Sequence, residues 1–169
     1  DEEAALNEIA RFLSYMPDNV WQLPPYVEPQ DDAERMEESL IDIVPRDRRK
    51  PFQMRKILKA VVDDGSFFET TKKYGPSLIT GLARLNGHAV GIIGNDCMYY
   101  AGAMTAEAAQ KLRRFVDMCN TFNLPVLSFV DEPGFMIGSA SEKAGTIRYG
   151  TEAIAAVMQS RVPWASVIV

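Results

Sequence analysis

A single histidine, His88, and only two cysteines, Cys97 and Cys119, stand in these 169 residues. The side chains that most often ligate transition metals, or move protons near neutral pH, are therefore nearly absent. The two cysteines lack metal-ligand spacing, so they read as reduced thiols, and no metal site is expected. No apolar run is long enough to span a bilayer and no segment has the make-up of a secretory leader. The expected location is cytoplasmic, or the mitochondrial matrix in a eukaryote. Basic residues are in deficit, 18 Lys and Arg against 23 Asp and Glu, and a net charge of -5 gives no electrostatic basis for binding nucleic acid or an anionic membrane. Internal repeats and low-complexity tracts are missing as well.

What the chain has is apolar residue, 47% of it, enough to bury one sizeable core. Ala5, Ile9, Phe12 and Leu13 recur at helical spacing within Glu2 to Tyr15, and Pro17-Asp18 ends that pattern. Residues 17 to 35 hold four prolines and many acids, so they read as an arm lying on a surface. Asp31, Asp32, Glu34, Glu37 and Glu38 read as a solvated face, since hard-cation ligands need a tighter, turn-based arrangement.

From Pro51, placed in a helix first turn, an apolar stripe of Met54, Ile57, Leu58, Val61 and Val62 runs to Asp64-Gly65. The runs 76–85 and 88–94 flank Asn86-Gly87, a strong hairpin signal, with His88 as a solvated turn residue. The spacing predicts helices over 104–122, N-capped by Thr105, and over 151–161, with a buried strand at 124–130 and a final strand at 164–169. A hairpin feeding α-then-β units predicts a layered α/β fold, its parallel strands covered by helices. Met98, Met104, Met118, Met136 and Met158 read as core fillers.

Four glycines, Gly134, Gly138, Gly145 and Gly150, lie where the strand ending at Val130 gives way to the last helix. Glycine there lets backbone amides approach a ligand, and free N–H groups at a helix start near Gly150-Thr151 would make an anion site. Glu152 and Arg161 sit at the ends where they complement that helix's dipole. Asp131 reads as a cap on the turn and Arg148 as a holder of the loop through Glu142.

The segment Asp131-Glu132-Pro133-Gly134-Phe135-Met136-Ile137-Gly138, with Glu142, Gly145, Ile147, Arg148 and Gly150, resembles D-V-P-G-F-L-P-G-x-x-Q-E-x-x-G-I-I-R-H-G-A-K. That is a segment of the carboxyltransferase β subunits of biotin-dependent acyl-CoA carboxylases. Phe12 to Pro17, Lys50 to Arg55, Val62 to Glu69, Thr80 to Leu85, Gly91 to Asn95 and Phe115 to Pro125 are similar to further family stretches. Thr151, Tyr149, and Ile137 with Ser141 depart from it, and Phe135-Met136-Ile137-Gly138 is also similar to the F-M-V-G of methylcrotonyl- and glutaconyl-CoA enzymes.

The resemblance implies a crotonase-like ββα superhelix, with an interdomain helix and arm at 1–45 and an incomplete C-terminal carboxyltransferase domain at 46–169. It implies carboxyl transfer from carboxybiotin, carried on a partner domain, to the α-carbon of an acyl-CoA such as propionyl-CoA. Cofactor and substrate carry that chemistry, and the protein supplies orientation and dipoles. The amides of Gly150 and Thr151 would form an oxyanion pair serving biotin, with Gly134, Phe135, Gly138 and Gly145 around the cofactor. Implied partners are a biotin carboxylase and biotin carboxyl carrier subunit and other carboxyltransferase subunits in a hexamer. This piece alone is expected to be inactive. The alternatives are another crotonase-fold acyl-CoA enzyme, a biotin-dependent decarboxylase, hydratase or isomerase, and a noncatalytic assembly module. A biotin carboxylase and a biotin-carrier domain among the neighbouring genes would favour the enzyme.

Overall fold

The computed structural model describes residues 1–32, 34–47 and 49–169. Its frame is one five-stranded sheet in sequence order: β1 (Phe68–Thr70), β2 (Leu78–Leu85), β3 (His88–Asn95), β4 (Val126–Val130) and β5 (Trp164–Ile168). The first three pair antiparallel, whereas β3, β4 and β5 are parallel, with Gly91 opposite Val126 and Val126 opposite Trp164. Asn86 and Gly87, both at positive φ (49° and 79°), make the expected hairpin turn. The Asp63 carboxylate fixes that turn by accepting from both their amides at 2.7 Å.

Alternate residues of β2 enter two cores. Leu78 and Leu82 pack with α3 (Ala106–Thr121), while Ile79 and Ala83 pack with α2 (Met54–Val61). Both sheet faces are thus covered, which is why β2 reads as a nearly continuous buried run. Gly91 permits the closest approach of α3, because a Cβ there would stand 2.5 Å from Cys119 Sγ. Burial pushes that thiol up to about 12, leaving it inert. Thr105 caps α3 as expected, its hydroxyl accepting from the Ala108 amide at 3.2 Å.

The first helix, α1 (Glu2–Leu13), ends two residues early and buries none of its residues; Leu6, Ile9 and Leu13 stay exposed. Tyr15 and Met16 enter the core instead. The arm that follows is held by two arginines. Arg84 donates to the carbonyls of Ser14 (2.7 Å), Pro25 (2.8 Å) and Gly87 (3.2 Å) and stacks on the Tyr15 ring. Arg35 pairs with Asp31 and Glu37 and donates to the carbonyls of Ala60 and Val62. Part of the acidic cluster is therefore an arginine socket, and its other acids face solvent.

Several expectations are corrected. Pro51 precedes α2, whose N-cap is Gln53. Met98 and Met158 are exposed rather than core fillers. His88 is exposed, but as the first residue of β3 against the Tyr26 ring. The last long helix, α5, spans Thr146–Gln159 instead of 151–161, so Glu152 lies in its second turn and Arg161 beyond its end.

Candidate functional site

The parallel strands β3, β4 and β5 end on one edge of the sheet, the edge where open α/β sheets usually bind ligands. Two strand ends there are joined by Asn95, which is 4% exposed. Its side-chain oxygen accepts from the Asp131 amide at 3.1 Å, and its nitrogen reaches the Gly102 carbonyl and the Glu132 carboxylate, both at 3.4 Å. Asn95, and not the Asp131 side chain, therefore holds the turn after β4. Burial raises the carboxyl of Asp131; Glu132 is exposed overall, but partial desolvation raises its carboxyl too, and the Asn95 contact partly offsets it.

Asp131 also lines a cleft of about 690 Å³ with Arg49, Lys50, Phe52, Cys97 and Val169. Asn95 and Lys50 lie within family-like stretches of the sequence that assign neither a role. Their only signal is position: one ends a strand whose neighbour in the sheet leads into Asp131, and the other precedes the helix α2 and lines the same cleft as Asp131.

Beyond Glu132 the chain docks on the start of α3. Met104 donates to the Gly134 carbonyl and accepts from the Met136 amide, each at 2.9 Å. Gly134 and Gly138 have φ of 124° and 109° with open space around them, so they are glycines for backbone conformation. Gly138 and Gly145 bracket the short helix α4 (Ser139–Ala144), and Gly145 then opens α5. Ile137 and Ile147 are exposed beside this loop.

Gly150 and Thr151 do not begin the last helix. In a helix that starts at Thr146 the Tyr149 amide serves the Gly145 carbonyl at 3.0 Å, and the Gly150 amide serves Thr146. The first-turn amides without intrahelical partners are those of Thr146, Ile147 and Arg148. Gly150 is buried, and a Cβ there would stand 2.8 Å from Phe135 Cζ, so the Phe135 ring lies on it. The Thr151 hydroxyl donates to the Ile147 carbonyl at 2.9 Å. Arg148 does not reach Glu142; it stands 3.6 Å from Glu152 and over the Tyr149 ring. Among the described residues no group of three or more His, Cys, Asp or Glu could hold a metal ion, and no helix is long and apolar enough to cross a membrane.

A family profile described as carboxyl transferase domain matches residues 1–169. The chain is 43% identical over 167 residues to the propionyl-CoA carboxylase carboxyltransferase subunit of Haloferax mediterranei, covering 99% of this chain and 32% of the relative. It is 35% identical over 168 residues to methylmalonyl-CoA decarboxylase subunit alpha of Veillonella parvula, covering 99% and 33%. The crystal structure of transcarboxylase 12S, a hexamer with hydrolysed methylmalonyl-coenzyme A bound, superposes with a TM-score of 0.95 at 34% identity, covering 99% of this chain and 32% of that one. That likeness carries the expected crotonase-like layering. The chain spans about a third of the length of the curated relatives it matches.

Proposed function

Because the chain belongs to the carboxyl transferase domain family, we propose that it is part of the carboxyltransferase component of a biotin-dependent acyl-CoA carboxylase. Its reaction would move the carboxyl group of biotin, carried on a partner domain, to the α-carbon of an acyl-CoA such as propionyl-CoA. The observation that supports this most is the loop 131–138, seated at the carboxyl edge of the parallel strands between Asn95 and α5, in a chain that the family match covers throughout.

When bound, biotin supplies the carboxyl donor and a ureido oxygen that gains negative charge as the group leaves. The chain's own contribution is orientation and dipole. The unpartnered first-turn amides of α5 give its start an anion preference, and exposed Phe135, Ile137 and Ile147 offer an apolar wall for a ring system. The expected oxyanion pair, Gly150 and Thr151, lies in the second turn of α5 with the Phe135 ring on Gly150, so the donors open to an anion are the first-turn amides. The complete protein would assemble with a biotin carboxylase and carrier subunit, and further copies of itself would join it in a hexamer, the assembly that transcarboxylase 12S forms.

The similarity to a decarboxylase subunit favours one second reading, the reverse direction. Both are tested with the complete subunit and its biotinylated partner, by following labelled bicarbonate into acid-stable product with ATP and propionyl-CoA. Incorporation supports the carboxylase. Carbon dioxide release from methylmalonyl-CoA without ATP, and no incorporation, transfers the assignment to the decarboxylase. Hydratase or isomerase turnover without biotin overturns both.

A further inference from the structure

Lys111, in α3, is 3% exposed and makes one hydrogen bond, from Nζ to the Leu78 carbonyl at 2.6 Å. Two of its three donors have no partner among the described residues. No carboxylate lies within salt-bridge distance of it among the described residues, because the two that act on it through space, Glu69 and Asp96, are both held by Arg55. Burial lowers its pKa to about 8. A buried cation with so few partners is costly unless an anion joins it.

Lys111 lines a cavity of about 250 Å³ whose walls include Phe12 of α1, Thr70 and Thr71, Tyr74, Phe115 and Met118. The Thr70 and Thr80 hydroxyls bond each other at 3.0 Å, which leaves the lining largely apolar. Arg114 stands exposed at the rim. None of these residues belongs to the loop 131–138 or to the cleft at Asp131.

We propose that this cavity is a binding site for a short-chain aliphatic carboxylate, its head on the Lys111 ammonium and its tail against Phe12, Phe115 and Met118. The apolar lining suits a tail, and one buried cation with one rim cation suits a monoanion better than a phosphate. The site does not depend on carboxyl transfer and would take a free acid rather than a thioester.

Calorimetric titration of the complete subunit at pH 7 with hexanoate, 1-hexanol and inorganic phosphate tests the assignment. Hexanoate should bind saturably with a dissociation constant on the order of a millimolar, as its size allows. Hexanol should bind at least tenfold more weakly and phosphate not at all. Lys111→Met should weaken hexanoate by roughly tenfold or more, the loss of a charge-assisted hydrogen bond. Arg114→Glu, an exposed change that leaves the core alone, should also weaken it.

Hexanoate affinity should fall as pH rises through the Lys111 pKa. The other charged groups around it are Arg55 of α2, Glu69 of β1, Asp96 after β3 and Arg114 of α3. Equal binding of hexanol and hexanoate, or unchanged hexanoate affinity in Arg114→Glu and a folded Lys111→Met, overturns the proposal.

Discussion

A side chain on Gly150 would drive into the Phe135 ring, so these two residues form one packing unit and substitutions at them should not add. In the complete subunit Gly150→Ala should lower kcat/KM by about tenfold or more through displacement of the ring. The same change made on Phe135→Ala should cost little, giving a coupling of roughly 1–3 kcal/mol in a double-mutant cycle. Additive losses would show that the glycine serves something other than the ring. A backbone N–H survives every substitution at position 150 except proline, so a loss in the alanine variant alone says nothing about oxyanion binding. The sequence displayed this glycine but not its partner, because Phe135 reaches Gly150 only after the chain has docked on Met104 and turned through α4.

At the scale of elements, legibility followed how local the determining interactions are. The β2–β3 hairpin was readable because Asn86-Gly87 fit positive φ, and the start of α3 because Thr105 caps it within four residues. The start of α5 was not readable. Gly145 opens it with no side-chain cap, and Gly150 looks like a breaker, costing about 1 kcal/mol relative to alanine in a helix interior. Packing of Phe135 on the bare backbone offsets that cost. Asn95 was unreadable for another reason, since its partners lie at the end of a different strand.

That join between β3 and the loop after β4 makes a measurable contribution. Asn95→Leu should destabilise the fold by about 1–3 kcal/mol in urea titration, the cost of leaving buried polar groups unpaired. The variant also loses the contact that holds down the Glu132 carboxyl, so its folded pKa rises further above the unfolded value. Stability attached to a raised carboxyl is present below the unfolded pKa and lost as pH rises through the folded one. The variant's deficit should therefore widen from acid toward neutral pH; a deficit independent of pH would remove Glu132 from the account.

On the scale of the molecule, apolar surface stands open at two places. Leu6, Ile9 and Leu13 form an exposed stripe on α1, and Ile168, 88% exposed, stands on the outermost strand β5. The inner contacts are less symmetric than the sheet suggests, and Arg84 shows where. Its three carbonyl partners, at Ser14, Pro25 and Gly87, include one 70 residues upstream. Such a clasp closes last in folding, because the hairpin that carries Arg84 must exist before the arm can find it and closing so long a loop is slow. The reverse journey should begin at the same place. In native-state hydrogen exchange, amides of the arm should exchange through a local opening that leaves β2 and β3 protected. Arg84→Met should speed arm exchange by roughly tenfold, the loss of about one net hydrogen bond, with a smaller change in the hairpin. Equal acceleration in both would mean that arm and sheet come apart as a single cooperative unit.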